Sequence, residues 1–117
     1  LGVLTRSLDE ELQADQADRQ AWLDKLRNRD ALRPEAGVEE TIEALHRYLT
    51  WTPSRLLNLS LADAVGERQL QNQPGTIDEY PNWRVPLTGS DGALVMLEDI
   101  LTNQRTADLA KIMSGGR

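Results

Sequence analysis

Residues 72–84 read Asn-Gln-Pro-Gly-Thr-Ile-Asp-Glu-Tyr-Pro-Asn-Trp-Arg, a run with neither helical nor strand periodicity. Asn72 and Asn82 each offer amide donors and an acceptor, Arg84 offers a fork of donors, and Thr76 and Tyr80 offer hydroxyls. Tyr80 and Trp83 add flat apolar faces with a polar edge. Pro74-Gly75 suits a type II turn, with proline at the first central position and glycine taking positive φ at the second. Amides, hydroxyls and aromatic faces together suit a polyhydroxylated ligand, because a sugar presents both hydroxyls and an apolar C–H face. The same residues also suit a second role. Tyr80 and Trp83 could anchor a long loop while the asparagines and Arg84 satisfy its backbone.

The rest of the chain offers less. His46 is the only histidine and there is no cysteine, so disulfides and thiolate metal sites are excluded. A Ser-His-Asp arrangement through Ser54 or Ser60 lacks any G-x-S-x-G elbow, and His46 reads as a surface or boundary residue. Asp9-Glu10-Glu11, Glu39-Glu40, Asp78-Glu79 and Glu98-Asp99 are adjacent in sequence. Neighbours on a helix or strand point apart, so none is an evident acid–base pair held about 5 Å apart. They read as solvated charge. No glycine-rich phosphate motif occurs. No metal or organic cofactor is expected.

These residues need elements to position them. Ser7 followed by Glu10 fits a capping box and opens a helix over residues 7–27. Ala14, Ala17 and Ala21 leave its middle weakly apolar, so it is either one helix or two with a kink near Asp15. Pro34 and Gly37 break the connector that follows. Val38, Ile42, Leu45 and Leu49 form an amphipathic stripe on a helix over 38–51, stopped by Pro53. Leu57, Leu59 and Leu61 alternate with Asn58 and Ser60, which predicts a short strand over 56–61. Residues 61–66 look like one turn of helix ended by Gly66. A long ordered loop occupies 67–88. Ser90 or Asp91 can cap a helix over 93–102, and a last helix spans 105–113. The expected class is mostly α with one short strand and a long ordered loop. A helix leading into a strand is half of an α/β unit, and a lone strand needs partners from elsewhere.

The chain has 117 residues, enough for one modest domain that buries roughly two-thirds of its unfolded surface. It begins at Leu1 without an initiator methionine, and Leu-Gly-Val-Leu reads as the continuation of an element. We therefore expect a single C-terminal segment of a larger protein. With three tryptophans, two tyrosines and no phenylalanine, any core rests on aliphatic side chains. A formal charge of −6 argues against nucleic-acid and anionic-membrane partners, which need basic patches. No apolar run approaches the roughly 20 residues of a membrane span, and a cysteine-free chain fits a reducing cytoplasm as it does a cysteine-free secreted bacterial protein, the cytoplasm being the expectation.

The runs Leu45-His46-Arg47-Tyr48-Leu49, Thr52-Pro53-Ser54-Arg55-Leu56-Leu57, Leu61-Ala62-Asp63-Ala64-Val65-Gly66-Glu67 and residues 72–84 resemble the C-terminal end of the amylomaltase-type 4-α-glucanotransferases, the disproportionating enzymes. The resemblance spans about Ile42 to Leu87, and its N-x-P-G-T and N-W-R elements are its most specific part. It implies a C-terminal piece of a (β/α)₈ barrel that moves α-1,4-glucan units between maltooligosaccharides with retention of configuration. The catalytic carboxylates of that family lie upstream of the matched region, so the segment alone is expected to be inactive. The resemblance makes 56–61 the last barrel strand and puts the loop after it on the active-site face. Asn72, Pro74 and Gly75 are then the foremost substrate contacts. Asn82, Trp83 and Arg84 either touch substrate or anchor the loop. The implied partners are an α-1,4-glucan and the remainder of the barrel. A non-enzymatic helical interaction module is the alternative.

Overall fold

The structure, a computed structural model, describes residues 5–115. It forms two compact units, one built on residues 5–57 and one on Asn58–Ser114.

Two helices make the first unit. Helix α1 (Leu8–Asn28) is unbroken through position 15. Its capping box is present: Glu10 N–H donates to Ser7 Oγ at 3.3 Å, and Ser7 N–H donates to Glu10 Oε2 at 2.9 Å. Acidic residues fill its first turn and Lys25 and Arg27 its last, both favoured by the helix dipole. The helix stops before the expected breakers at Pro34 and Gly37. Asp30 takes a left-handed backbone at φ 54°. Its N–H donates to Arg27 O at 3.0 Å and Ala31 N–H donates to Leu26 O at 2.9 Å, the paired bonds of a Schellman stop. Leu26 and Ala31 are both buried, which supplies the apolar contact such a stop carries.

Helix α2 (Val38–Thr50) packs on the end of α1. The core is Leu26, Ala31, Leu32 and Ala44, with Leu23, Ala36, Leu45 and Tyr48 against it. Leu26 and Ala44 retain no exposure; the small Ala44 side chain leaves room for Leu26. Only part of the expected stripe is used. Leu45 joins the core, whereas Val38 and Leu49 stay exposed. A two-helix layer covers one strip of a helix, so the flanks of a wider apolar face face outward. Arg33 forks onto Glu40 at 2.6 and 2.5 Å and ties the connector to α2. Tyr48 stands edge-on to Trp22 and Trp51, centroids 6.0 and 6.3 Å away. His46 is buried rather than exposed, its Nδ1 2.7 Å from Ile42 O.

The strand expected over 56–61 is absent. The described residues contain no sheet, and their one β contact is an isolated bridge between Thr88 and Leu94. A ladder needs a partner backbone, and none lies alongside this stretch; Leu56 is 92% exposed. Its last two residues serve a helix instead. Ser60 Oγ accepts from Asp63 N–H at 3.0 Å and caps α3 (Leu61–Val65), which ends at Gly66 with φ 79°.

The second unit contains α3, α4 (Leu97–Thr102) and α5 (Gln104–Gly115). From α5, Arg105 Nε donates to Asp63 O at 3.1 Å and Thr106 Oγ1 to Ala64 O at 3.2 Å, so two side chains satisfy carbonyls of α3. Ala64, Val65, Ile100 and Leu109 are its buried apolar residues. Helix α4 begins four residues later than the sequence suggested. Residues 87–95 fold back on themselves: Gly89 N–H donates to Ala93 O and Val95 N–H to Leu87 O, both at 2.9 Å. Asp91 closes that turn by accepting from Ala93 N–H at 3.0 Å, so it does not cap a helix. Met96 N–H donates to Asp99 Oδ2 at 2.9 Å, and α4 starts there.

Candidate functional site

Residues 71–84 lie in the second unit and contain no fully buried side chain. Their order comes from hydrogen bonds. Thr76 N–H donates to Gln73 O at 3.3 Å across Pro74-Gly75, and Gly75 takes φ 82°. This is the type II corner expected from Pro-Gly. A second tight turn follows, in which Arg84 N–H donates to Pro81 O at 3.0 Å. Trp83 fills its second central position at φ 59°.

Asn82 joins the two turns. Its Oδ1 accepts from Gln73 N–H at 2.7 Å and its Nδ2 donates to Thr76 Oγ1 at 3.0 Å. Thr76 Oγ1 in turn donates to Gln73 O at 2.6 Å. Lower in the loop, Trp83 N–H donates to Gln71 O at 2.7 Å, and the Tyr80 hydroxyl donates to Leu70 O. Glu79 Oε2 accepts from Ile77 and Asp78 N–H at 2.8 and 3.1 Å. These bonds, the Ile77 one above all, hold the Glu79 carboxyl below its ordinary value.

The candidate residues therefore separate. Asn82 is committed to the loop's interior, and so are the hydroxyls of Thr76 and Tyr80. Trp83 is the reverse, because its backbone is fixed by hydrogen bonds and the residue is 75% exposed. A bulky residue in the left-handed region is a strained choice costing about 1–3 kcal/mol, sustained only where surroundings dictate it. Here the Gln71 bond and the Pro81 turn do so, and together they hold the indole outward. Trp83 does not anchor the loop through its ring. Pro74 and Gly75 are exposed at the first corner, and Arg84 is exposed beside Trp83. Asn72 is partly buried next to the corner, and its side chain makes no hydrogen bond among the described residues. An aromatic face, a free amide and a guanidinium can address a ligand that carries both C–H surface and hydroxyls.

The sequence reading did not single out Glu67. Its Oε1 accepts from Arg68 and Gln69 N–H, both at 2.8 Å, and its Oε2 accepts from Thr88 N–H at 2.6 Å. Gln69 N–H is the first cause of its lowered pKa, with the Thr88 hydroxyl and the Thr88 and Arg68 N–H groups adding to it against a desolvation penalty. No local spacing rule links position 67 to position 88.

The adjacent carboxylates serve separate local bonds. Glu10 closes the α1 cap, Glu40 pairs with Arg33, and Asp99 accepts from the N–H of Met96, the residue before α4. Among the described residues no group of three His, Asp or Glu side chains could hold a metal ion, and no helix is long and apolar enough to cross a membrane.

A family model described as 4-alpha-glucanotransferase matches residues 7–91, which extends the similarity upstream through α1. The 4-alpha-glucanotransferases of Mycobacterium bovis and Mycobacterium tuberculosis are each 55% identical over 115 residues, covering 95% of this chain. The chain spans 16% of the length of these curated relatives. No solved structure matches it.

Proposed function

The chain belongs to the 4-alpha-glucanotransferase family, and from that membership we propose that it supplies the substrate loop of a retaining enzyme acting in the cytoplasm. The reaction moves an α-1,4-glucan unit from one maltooligosaccharide to another. Residues 72–84 are the part of this chain that meets the glucan.

The observation that carries this reading is Trp83, a 75% exposed residue on a strained and fully specified backbone. An indole held this way is a platform for the C–H face of a glucose ring. Asn72 and Arg84 beside it donate to sugar hydroxyls, and the Pro74-Gly75 corner brings backbone close to the ligand. Asn82 acts indirectly by holding the two corners together.

Retaining transfer needs a nucleophilic carboxylate and an acid/base carboxyl about 5–5.5 Å apart. In the loop unit Glu67, Glu79 and Asp99 are bound to backbone N–H groups. The family resemblance assigns the catalytic pair to the remainder of a (β/α)₈ barrel, and this chain by itself does not turn over glucan. The same remainder covers Leu56, Leu97 and Leu101, which are exposed here.

Trp83→Ala in the full-length transferase is expected to raise KM for a short maltooligosaccharide about tenfold, since one aromatic contact contributes about 1–1.5 kcal/mol. Steady-state disproportionation kinetics measure this. An unchanged KM removes Trp83 from the site.

A further inference from the structure

We infer that Glu67 is a positioning residue for the substrate loop, its one carboxylate clasping both ends of the loop and holding Trp83 in its outward pose. The inference rests on the reading of residues 72–84 as a glucan contact.

The two ends lie 21 positions apart in sequence. At the near end, Arg68 and Gln69 N–H donate to Glu67 Oε1 at 2.8 Å. At the far end, Thr88 N–H donates to Oε2 at 2.6 Å, and the Thr88 hydroxyl lies 2.8 Å from both oxygens. Three of these groups are backbone N–H donors, which only an acceptor can satisfy. An ionised carboxylate accepts on both oxygens at once, whereas an amide in its place turns an NH₂ group toward one set of donors.

Both ends are themselves fixed. Thr88 belongs to the folded-back segment 87–95 through its bridge to Leu94. Glu67 follows Gly66, whose φ is 79° and where an added Cβ would stand 3.2 Å from Ser90 Cβ and 3.3 Å from Arg105. That position needs glycine for its backbone and has little room for a side chain. The carboxylate thus joins two constrained anchors, and the loop closes at its base before any tip contact forms. Above the clasp, the Gln71–Trp83 bond encloses the Gln73–Asn82 bond, and the Tyr80 hydroxyl reaches back across them to Leu70. Opening the base lets the two arms of the loop separate, which loosens the bonds between them and releases the strained turn at Trp83. A loop populated only partly in its binding pose weakens apparent affinity by that fraction.

The test uses Glu67→Gln and the milder Thr88→Val in the full-length transferase. Loop order is read by limited trypsin cleavage at Arg84-Val85, mapped by mass spectrometry, and function by kinetics on a short maltooligosaccharide. In Glu67→Gln, cleavage is expected to be about tenfold faster and KM about tenfold higher, with kcat within about twofold, the pattern of lost pre-organisation. Thr88→Val should move both readouts the same way by less, and it serves alone if Glu67→Gln does not fold. Unchanged cleavage in the folded variants overturns the clasp. So does a fall in kcat with KM unmoved, which marks a purely structural role. Faster cleavage with both kinetic constants unmoved keeps the clasp and overturns the loop's role in glucan binding.

Discussion

Leu26 and Ala44 lose all exposure where α1 meets α2, whereas residues 71–84 bury no side chain completely. The first unit is held by apolar packing, which is non-directional and tolerates exchange of similar volumes. The loop of the second unit is held by directed hydrogen bonds among Gln71, Gln73, Thr76, Tyr80 and Asn82. Packing hides side chains, while backbone-directed bonds leave them outside. The second strategy suits a surface that must present an indole, an amide and a guanidinium. It also ties the loop's order to a few groups, each with a specific partner.

The largest test of this contrast strikes the packed unit. Leu26→Ala should destabilise it by about 3 kcal/mol, the usual result of emptying a filled aliphatic site. Chemical denaturation monitored by far-UV circular dichroism measures the loss. Hydrogen exchange of the loop amides at Gln73 and Trp83 should change little. Parallel loss in both units would show that the loop's order depends on the packed core after all.

Asn82→Ala strikes the other side. It removes both joints between the turns and leaves the Gln73 N–H without its acceptor, at about 1–3 kcal/mol of local order. Amide exchange at Gln73 and Trp83 should quicken at least about tenfold, while helix content holds. Unchanged exchange would mean that backbone bonds alone keep the corners together.

The smallest effect is expected from acid. The Glu67 carboxyl is lowered first by Gln69 N–H, and the Glu79 carboxyl first by Ile77 N–H. A carboxyl depressed in the folded state contributes its full stability above the ordinary glutamate value, and loses it as pH falls through the lowered one. Glu10 and Glu40 in the first unit are depressed as well, but they lie at a helix cap and a surface fork. The Leu26–Ala44 core contains no carboxyl. An NMR titration should therefore show the Arg68, Gln69 and Thr88 amides shifting before the core methyls of Leu26 and Leu32. Simultaneous shifts would erase the distinction between the units.

Much of the local structure is legible in the sequence because it is short-range. Ser7 and Glu10 are three residues apart and meet whenever the chain turns helical, and Gly66 and Pro74-Gly75 act through their own φ angles. The stop of α1 falls within one residue of where the sequence puts it, but its means does not show there, because Asp30, an ordinary polar residue, takes the left-handed position. The start of α4 escaped the sequence reading because Asp91 can cap a helix or close a turn with the same carboxylate, and the pairing of Thr88 with Leu94 selects the turn.

The site divides in the same way. Residue types at 72–84 identified a polar, aromatic loop, and their wording identified a family that the wider match through residues 7–91 bears out. Sequence alone left Asn82 and Trp83 as equivalent candidates. Tertiary structure turned the Asn82 amide inward and the Trp83 ring outward, because one side chain fits between two backbone turns and the other sits on a left-handed residue. It also brought Glu67 to Thr88, a contact 21 positions apart that only the folded path of the chain creates.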